Sequence, residues 1–385
     1  EKKFFILGNP GNNIGDVAAM EGIVFGLKKV FKNCTIYASY SGNPNTEDID
    51  DYVKQYFQDE DFFSKKSIIR LYFAILFNQE NNVLTCLKDS DVIIFAPGAC
   101  GLHKNNYEHW IKVMIMLKIA KKMNKIVMFH ACSMGPFDKH INKIKKIISE
   151  VDIFTVRDET SIKYLNDIGI PNVTFTGDSA MMVPSKLYFN NKKKILGITP
   201  IDFTKFAFES IKDKNNVIIQ SFVDAINYMY YSKIIDEVYF ISHIFNSNSE
   251  EYIVNVIIKK IDPNIKYKLI KHTSVIEAFR MYSKLYCCIS ARHHGGAFSL
   301  KNGVPSICIA YEHKAHGFFK QFNLDEYVID AESLNSKILI TKINELVENY
   351  DYILKQIDKN IKVVEKRTFN NELMLKEYIY STNGD

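Results

Sequence analysis

The chain of 385 residues is poor in the features that assign a protein quickly. Its seven cysteines are odd in number and include no CxxC pair. Neither a disulfide framework nor a zinc site is therefore indicated, and a reducing compartment, the cytoplasm, is expected. No apolar run reaches the roughly 18 residues of a membrane-spanning helix. The opening EKKFFILGNPG moves straight into a strand, so no signal peptide is expected. No short-period repeat or low-complexity tract occurs, and acidic and basic residues are interleaved, which excludes a nucleic-acid-binding arm. The nucleotide fingerprints are missing as well. Gly8, Gly11 and Gly15 fit neither GxGxxG nor a P-loop, and no Lys-Ser or Lys-Thr pair accompanies them.

What is present is globular: 47% hydrophobic and 24% charged residues, with a net charge of +5. That bias suits an anionic small molecule or an anionic membrane surface. The length exceeds one ordinary core and implies two domains. Short β-rich runs alternate with helical stretches, the pattern of parallel-sheet α/β domains. In the first half the strands are expected at KFFILG, CTIYASY, DVIIFAPG, KIVMFHA, DIFTVRD and VTFTGD. In the second half they are expected at KILGITPID, EVYFISHIF, YKLIKH, LYCCISARHHGG, VPSICIAY and EYVID. PSKLYFNNKKK, with its proline, asparagines and lysine run, breaks this rhythm and reads as a boundary. The expected division is a Rossmann-like domain over residues 1–186, a second over 187–340, and a helical segment over 341–385 that crosses back. Two such domains facing a cleft is the natural architecture.

In open α/β sheets ligands bind beyond the carboxyl ends of the strands, so the residues there are the candidates. After the first strand, Asn12 and Gly15 offer a close backbone approach and a helix N-terminus to a phosphate or to sugar hydroxyls. Asp16 is either a catalytic carboxylate or a simple helix cap. Arg157 and Asp158 end another strand; they form either an ion pair with a helix cap, or a guanidinium fork for a phosphate or carboxylate. Asp178 either binds a sugar hydroxyl or closes a turn. His130 lies inside an apolar run and reads as a core histidine, whereas His103 is a cleft candidate.

The sharpest stretch is SARHHGGAFSLKNGVP. If the strand persists, Arg292 and His294 point the same way, and Gly295 and Gly296 leave the backbone open to a ligand. Together they make an anion site with an adjacent proton donor. Residues 62–77, FFSKKSIIRLYFAILF, are aromatic and basic. They suit a membrane-contacting helix, or a helix of the core or of a dimer.

GNNIGD, MGPF, RDETSIKYLNDIG, TGDSA, SARHHGGAFSLKNGVP and YEHKAHGFFKQFNL occur in this order between residues 8 and 324. With them the sequence resembles the polysaccharide pyruvyl transferase family. It departs from that pattern in having Ala96-Pro97-Gly98 where the family usually has three glycines, and His293 where it usually has leucine.

The resemblance implies a GT-B-like fold and phosphoenolpyruvate as co-substrate, with no cofactor and no metal. The pyruvate would be installed as a cyclic ketal across two hydroxyls of a sugar or lipid-linked oligosaccharide. It assigns donor binding and catalysis to Arg292 and His294. His294 is the expected general acid, since imidazole titrates near neutrality, and Asp16 the expected base, with Asp178 second. Arg157, His293, Gly295 and Lys314 are further substrate-binding candidates. The alternatives are a nucleotide-sugar-dependent glycosyltransferase on the same scaffold and a non-catalytic glycan binder. A peripheral membrane contact and a homo-oligomer stay open.

Overall fold

The near-continuous apolar runs become two parallel sheets, because a strand covered by helices on both faces has no polar side to present. The computed structural model describes residues 1–8, 12–39, 46–49, 53, 55–57, 65–77, 79, 81–102, 107–185, 193–205, 211, 213–244 and 250–382.

The first sheet is built from β1 (Lys2–Leu7), β2 (Cys34–Ser39), β3 (Gln55–Phe57), β4 (Val92–Phe95), β5 (Ile126–Cys132), β6 (Ile153–Val156) and β7 (Thr174–Phe175). They lie in the order β3-β2-β1-β4-β5-β6-β7. The second contains β8 (Ile195–Thr199), β9 (Glu237–Ile241), β10 (Lys266–Ile270), β11 (Cys287–Ser290), β12 (Ser306–Ala310) and β13 (Val328–Asp330), in the order β10-β9-β8-β11-β12-β13. Both are doubly wound, Rossmann-like orders. The winding reverses between β1 and β4 in one and between β8 and β11 in the other, and such switch points open crevices at the strand ends. All the expected strands are present; β3, three residues at a sheet edge, had no counterpart among them.

The chain divides into two compact units, Glu1–Val183 with Glu365–Asp385, and Pro184–Val364. The helical stretch after residue 341, expected as a segment of its own, is shared between them. Most of the expected boundary, residues 186–192, lies outside the described residues. Unit 1 packs Trp110, Phe95 and Phe129 against one another between its sheet and helices. No helix among the described residues is long and apolar enough to cross a membrane.

Two local features shape unit 1. The helix Ile14–Val30 is capped by Asn13, whose side chain accepts from the Gly15 N–H, and Asp16 favours the positive end of its dipole. The second half of the helix Tyr350–Thr382 is pinned by buried polar groups. Asn371 Oδ1 accepts from the Thr155 and Thr176 hydroxyls at 2.6 and 2.9 Å. Glu372 Oε1 lies 2.9 Å from His130 Nε2, and Ser179 Oγ lies 3.1 Å from Nδ1 of the same ring.

The cysteines require a correction. Cys100 and Cys132 are disulfide-bonded, with Cα atoms 5.8 Å apart, and the other five are buried thiols. The bridge was not legible because its halves lie 32 residues apart and meet only when β4 and β5 pair.

Candidate functional site

Unit 1 gathers carboxylates around one guanidinium. Arg157 follows β6 and donates from Nη1 to Asp178 Oδ2 at 2.7 Å and from Nε to Ser133 Oγ at 2.7 Å. Burial pulls the Arg157 guanidinium toward neutrality, but the fields of Asp178, Asp158 and Asp16 outweigh it and hold the charge more firmly than usual. The Arg157 guanidinium is therefore paired with Asp178. Asp158 caps the helix Glu159–Asp167, accepting from the Ser161 N–H at 2.7 Å. Asp178 also closes its turn by accepting from the Ala180 N–H.

Asp16 is not the cap of its helix, since Asn13 fills that role. Among the described residues no hydrogen bond or ion pair reaches the Asp16 carboxylate, which acts on Arg157 through its field. Asn12 directly precedes the cap. The Gly15 N–H is committed to Asn13 rather than open to a ligand. His130 is a buried core histidine, as expected. His103 lies outside the described residues.

Unit 2 gathers imidazoles near a guanidinium that is paired with Glu250. β11 ends at Ser290, and Arg292 is the N-cap residue of the helix His293–Lys301. The strand does not persist, so His293 and His294 occupy the first helical turn and alternation does not orient them. Their rings meet edge to face at 4.8 Å; His293 packs on Phe318 and His294 on Phe298. Both are buried.

Gly295 and Gly296 do not open the backbone to a ligand. A Cβ on Gly295 would stand 2.2 Å from Ser290 Oγ and 2.8 Å from Thr199 Oγ1, and one on Gly296 would strike the Phe319 ring. The glycines instead let the helix press onto the strand ends. Lys314 opens the helix Lys314–Lys320 after β12, and its ammonium pairs with Glu312 at 2.6 Å.

Several groups here were not anticipated. Arg292 donates from Nε and Nη2 to Glu250 Oε1 at 3.0 and 2.6 Å. Glu250 Oε2 accepts from Ser242 Oγ and the His243 N–H, both at 2.8 Å. The buried Glu250 also lines a cavity of about 200 Å³ at the ends of β9 and β10. His243 Nε2 lies 2.6 Å from the Tyr282 hydroxyl. Burial first, then the charges of Arg292, His272 and His294, hold His243 well below the usual imidazole range. Burial lowers His272 to about 4, against the pull of Glu277. His243 could have been found by the strand-end rule that picked out Arg292. Glu250 carried no such signal.

Each unit therefore concentrates its expected site residues at the carboxyl edge of its sheet. Asn12, Gly15 and Asp16 follow β1 and Arg292 follows β11, each flanking a switch point. Chemically, unit 1 offers carboxylates able to accept a proton, and unit 2 a fixed cation beside imidazoles.

The fold is shared with several solved structures. A putative UDP-N-acetylglucosamine 2-epimerase from Listeria monocytogenes superposes with a TM-score of 0.66 at 12% identity, covering 99% of this chain and 97% of that one. A glycosyltransferase from Rickettsia africae gives 0.59 at 12%, covering 99% and 98%. Anabaena HepE, solved with UDP and glucose, gives 0.56 at 11%, covering 99% of each. At such identity the likeness shows the fold alone, the two Rossmann-like domains of GT-B proteins. In sequence, the amylovoran biosynthesis protein AmsJ of Erwinia amylovora is 33% identical over 85 residues. That stretch is 22% of this chain and only about a fifth, 20%, of AmsJ.

A family model described as polysaccharide pyruvyl transferase matches residues 13–313. Asn12 and Lys314 fall just outside the match, and every other candidate site residue lies within it. Since it spans well over half of the sequence, the chain belongs to the polysaccharide pyruvyl transferase family.

Proposed function

We propose that this chain transfers pyruvate from phosphoenolpyruvate to two hydroxyls of a sugar as a cyclic ketal, releasing phosphate, during assembly of a polysaccharide. The observation that carries the reading is the placement of Arg292 and His294 at the start of the His293–Lys301 helix, beside the switch point of the second sheet. A donor bearing a phosphate and a carboxylate needs a fixed cation, and a guanidinium fork binds either group in bidentate fashion. Glu250 holds that fork in one orientation, which pre-organises it. The donor anion would share Arg292 with Glu250 or displace it.

The chemistry balances as follows. His294 gives a proton to the methylene carbon of phosphoenolpyruvate, leaving C2 with oxocarbenium character. A sugar hydroxyl attacks C2 and loses its proton to a carboxylate. The C2–O bond to phosphate breaks and phosphate leaves with that electron pair. The second hydroxyl then closes the ketal, and its proton is released. Asp178 is committed to Arg157 and its own turn, which favours Asp16 as the base.

The test is phosphate release from phosphoenolpyruvate, with and without a panel of galactosides, glucosides and N-acetylmannosaminides. Release with one acceptor only, together with a mass gain corresponding to a pyruvate ketal, is expected. No release with any acceptor, while a nucleotide sugar raises the melting temperature and phosphoenolpyruvate does not, would replace this reading with a glycosyltransferase.

A further inference from the structure

We infer that the helix Lys65–Phe77 docks this chain onto an anionic lipid surface. Part of the helix is buried and part is exposed, Ile75 included at 39%. Leu71 and Ala74 are buried in the core of unit 1. Ile69, Phe73, Leu76 and Phe77 are 54, 52, 65 and 63% exposed, and the rings of Phe73 and Phe77 stack 5.7 Å apart. At 3.6 residues per turn these four share an arc of about 120° with Lys66 and Arg70, which are exposed too. Isolated exposed hydrophobes need no explanation, but a contiguous apolar stripe marks a contact surface.

Charge identifies the partner. The helix sequence KKSIIRLYFAILF has three cations and no carboxylate, within a chain of net charge +5. Lys66 and Arg70 stand toward one end of the stripe and the phenyl rings toward the other. In that arrangement long basic side chains reach headgroup phosphates while the rings enter the acyl boundary. A second copy of the chain suits this face poorly, because the helix offers those cations no carboxylate to pair with across a twofold axis. Thirteen residues of helix extend only about 20 Å, too short to cross a bilayer, so the helix lies in the interface plane. The inference does not rest on the proposed reaction.

The experiment is co-sedimentation with phosphatidylcholine vesicles, with and without phosphatidylglycerol, at low and high salt, with light scattering on the same samples. The intact chain is expected to sediment with the anionic vesicles. Binding should fall roughly ten-fold or more in a Phe73→Ser, Phe77→Ser variant, which loses the apolar contact, and also in a Lys66→Glu, Arg70→Glu variant. High salt should weaken it as the Debye length shrinks. Unchanged melting temperatures would show that both variants fold. Failure to bind either vesicle would overturn the inference. So would equal binding to both, or a dimer that the Phe73→Ser, Phe77→Ser variant dissociates while vesicle binding is retained.

Discussion

The two units of this transferase-family chain are wound in the same order, yet they carry different chemistry at the carboxyl ends of their strands. In unit 1, the charges of Asp178, Asp158 and Asp16 act on the half-buried Arg157. In unit 2, Arg292 is held by Glu250, and the charges of Arg292, His272 and His294 act on the buried His243. The contrast teaches that the doubly wound sheet supplies only a location, the carboxyl ends of its strands. Which charge gathers there is decided by a few side chains that the scaffold tolerates equally well.

The largest effect that sharpens this contrast is expected in unit 2. Replacing His294 with alanine should lower kcat for phosphate release by about 10²–10⁴, the usual worth of a general acid, while phosphoenolpyruvate still binds. Single-turnover kinetics with a separate binding titration would check it. An unchanged kcat would remove His294 from the chemistry.

In unit 1, Asp178→Asn should act first on stability. It breaks a buried ion pair and leaves Arg157 short of a counter-charge, a loss of about 3–5 kcal/mol. Denaturant unfolding measures this. A loss below about 1 kcal/mol would make the pair as weak as a surface bridge.

The mildest prediction uses pH to separate the units. His272, at about 4, and His243, well below its ordinary value, both have folded pKa values beneath the usual 6.5. The unfolded chain therefore binds more protons, and stability is lost as pH falls from about 6.5 toward 4. At about 1.4 kcal/mol per pH unit, the His272 shift alone is worth about 3 kcal/mol once that window is crossed. In unit 1 the buried Glu372 behaves oppositely. Burial raises its pKa despite His130, so its contribution grows on acidification and fades as pH rises through the raised value. Hydrogen exchange between pH 7 and 4.5 should show protection lost first around His243 and His272. Simultaneous loss around Arg157 would break the comparison.

The strands were legible because burial on both faces writes itself locally, as unbroken Val, Ile and Phe runs. The place of Arg292 was legible because a strand end followed by glycines is also local. The behaviour of that segment was not. His293 and His294 look like strand residues until the helix starts beneath them, and Gly295 looks like a ligand opening until Ser290 and Thr199 fill the space beside it. The exposed stripe of the Lys65–Phe77 helix was visible as an apolar, basic run, but only the fold shows which side the core leaves uncovered.

By itself, then, the sequence determined the alternation of strand and helix, the parallel sheets, and the motifs that end their strands. Each follows from short-range periodicity and backbone preference. The tertiary structure alone decided the partners: Glu250 for Arg292 across 42 residues, Asp178 for Arg157 across 21, Glu372 for His130 across 242, and Cys132 for Cys100 across 32. Such pairs form where strand order and helix return bring distant segments together. Buried charges and polar groups must then find a partner among whatever neighbours the fold has supplied.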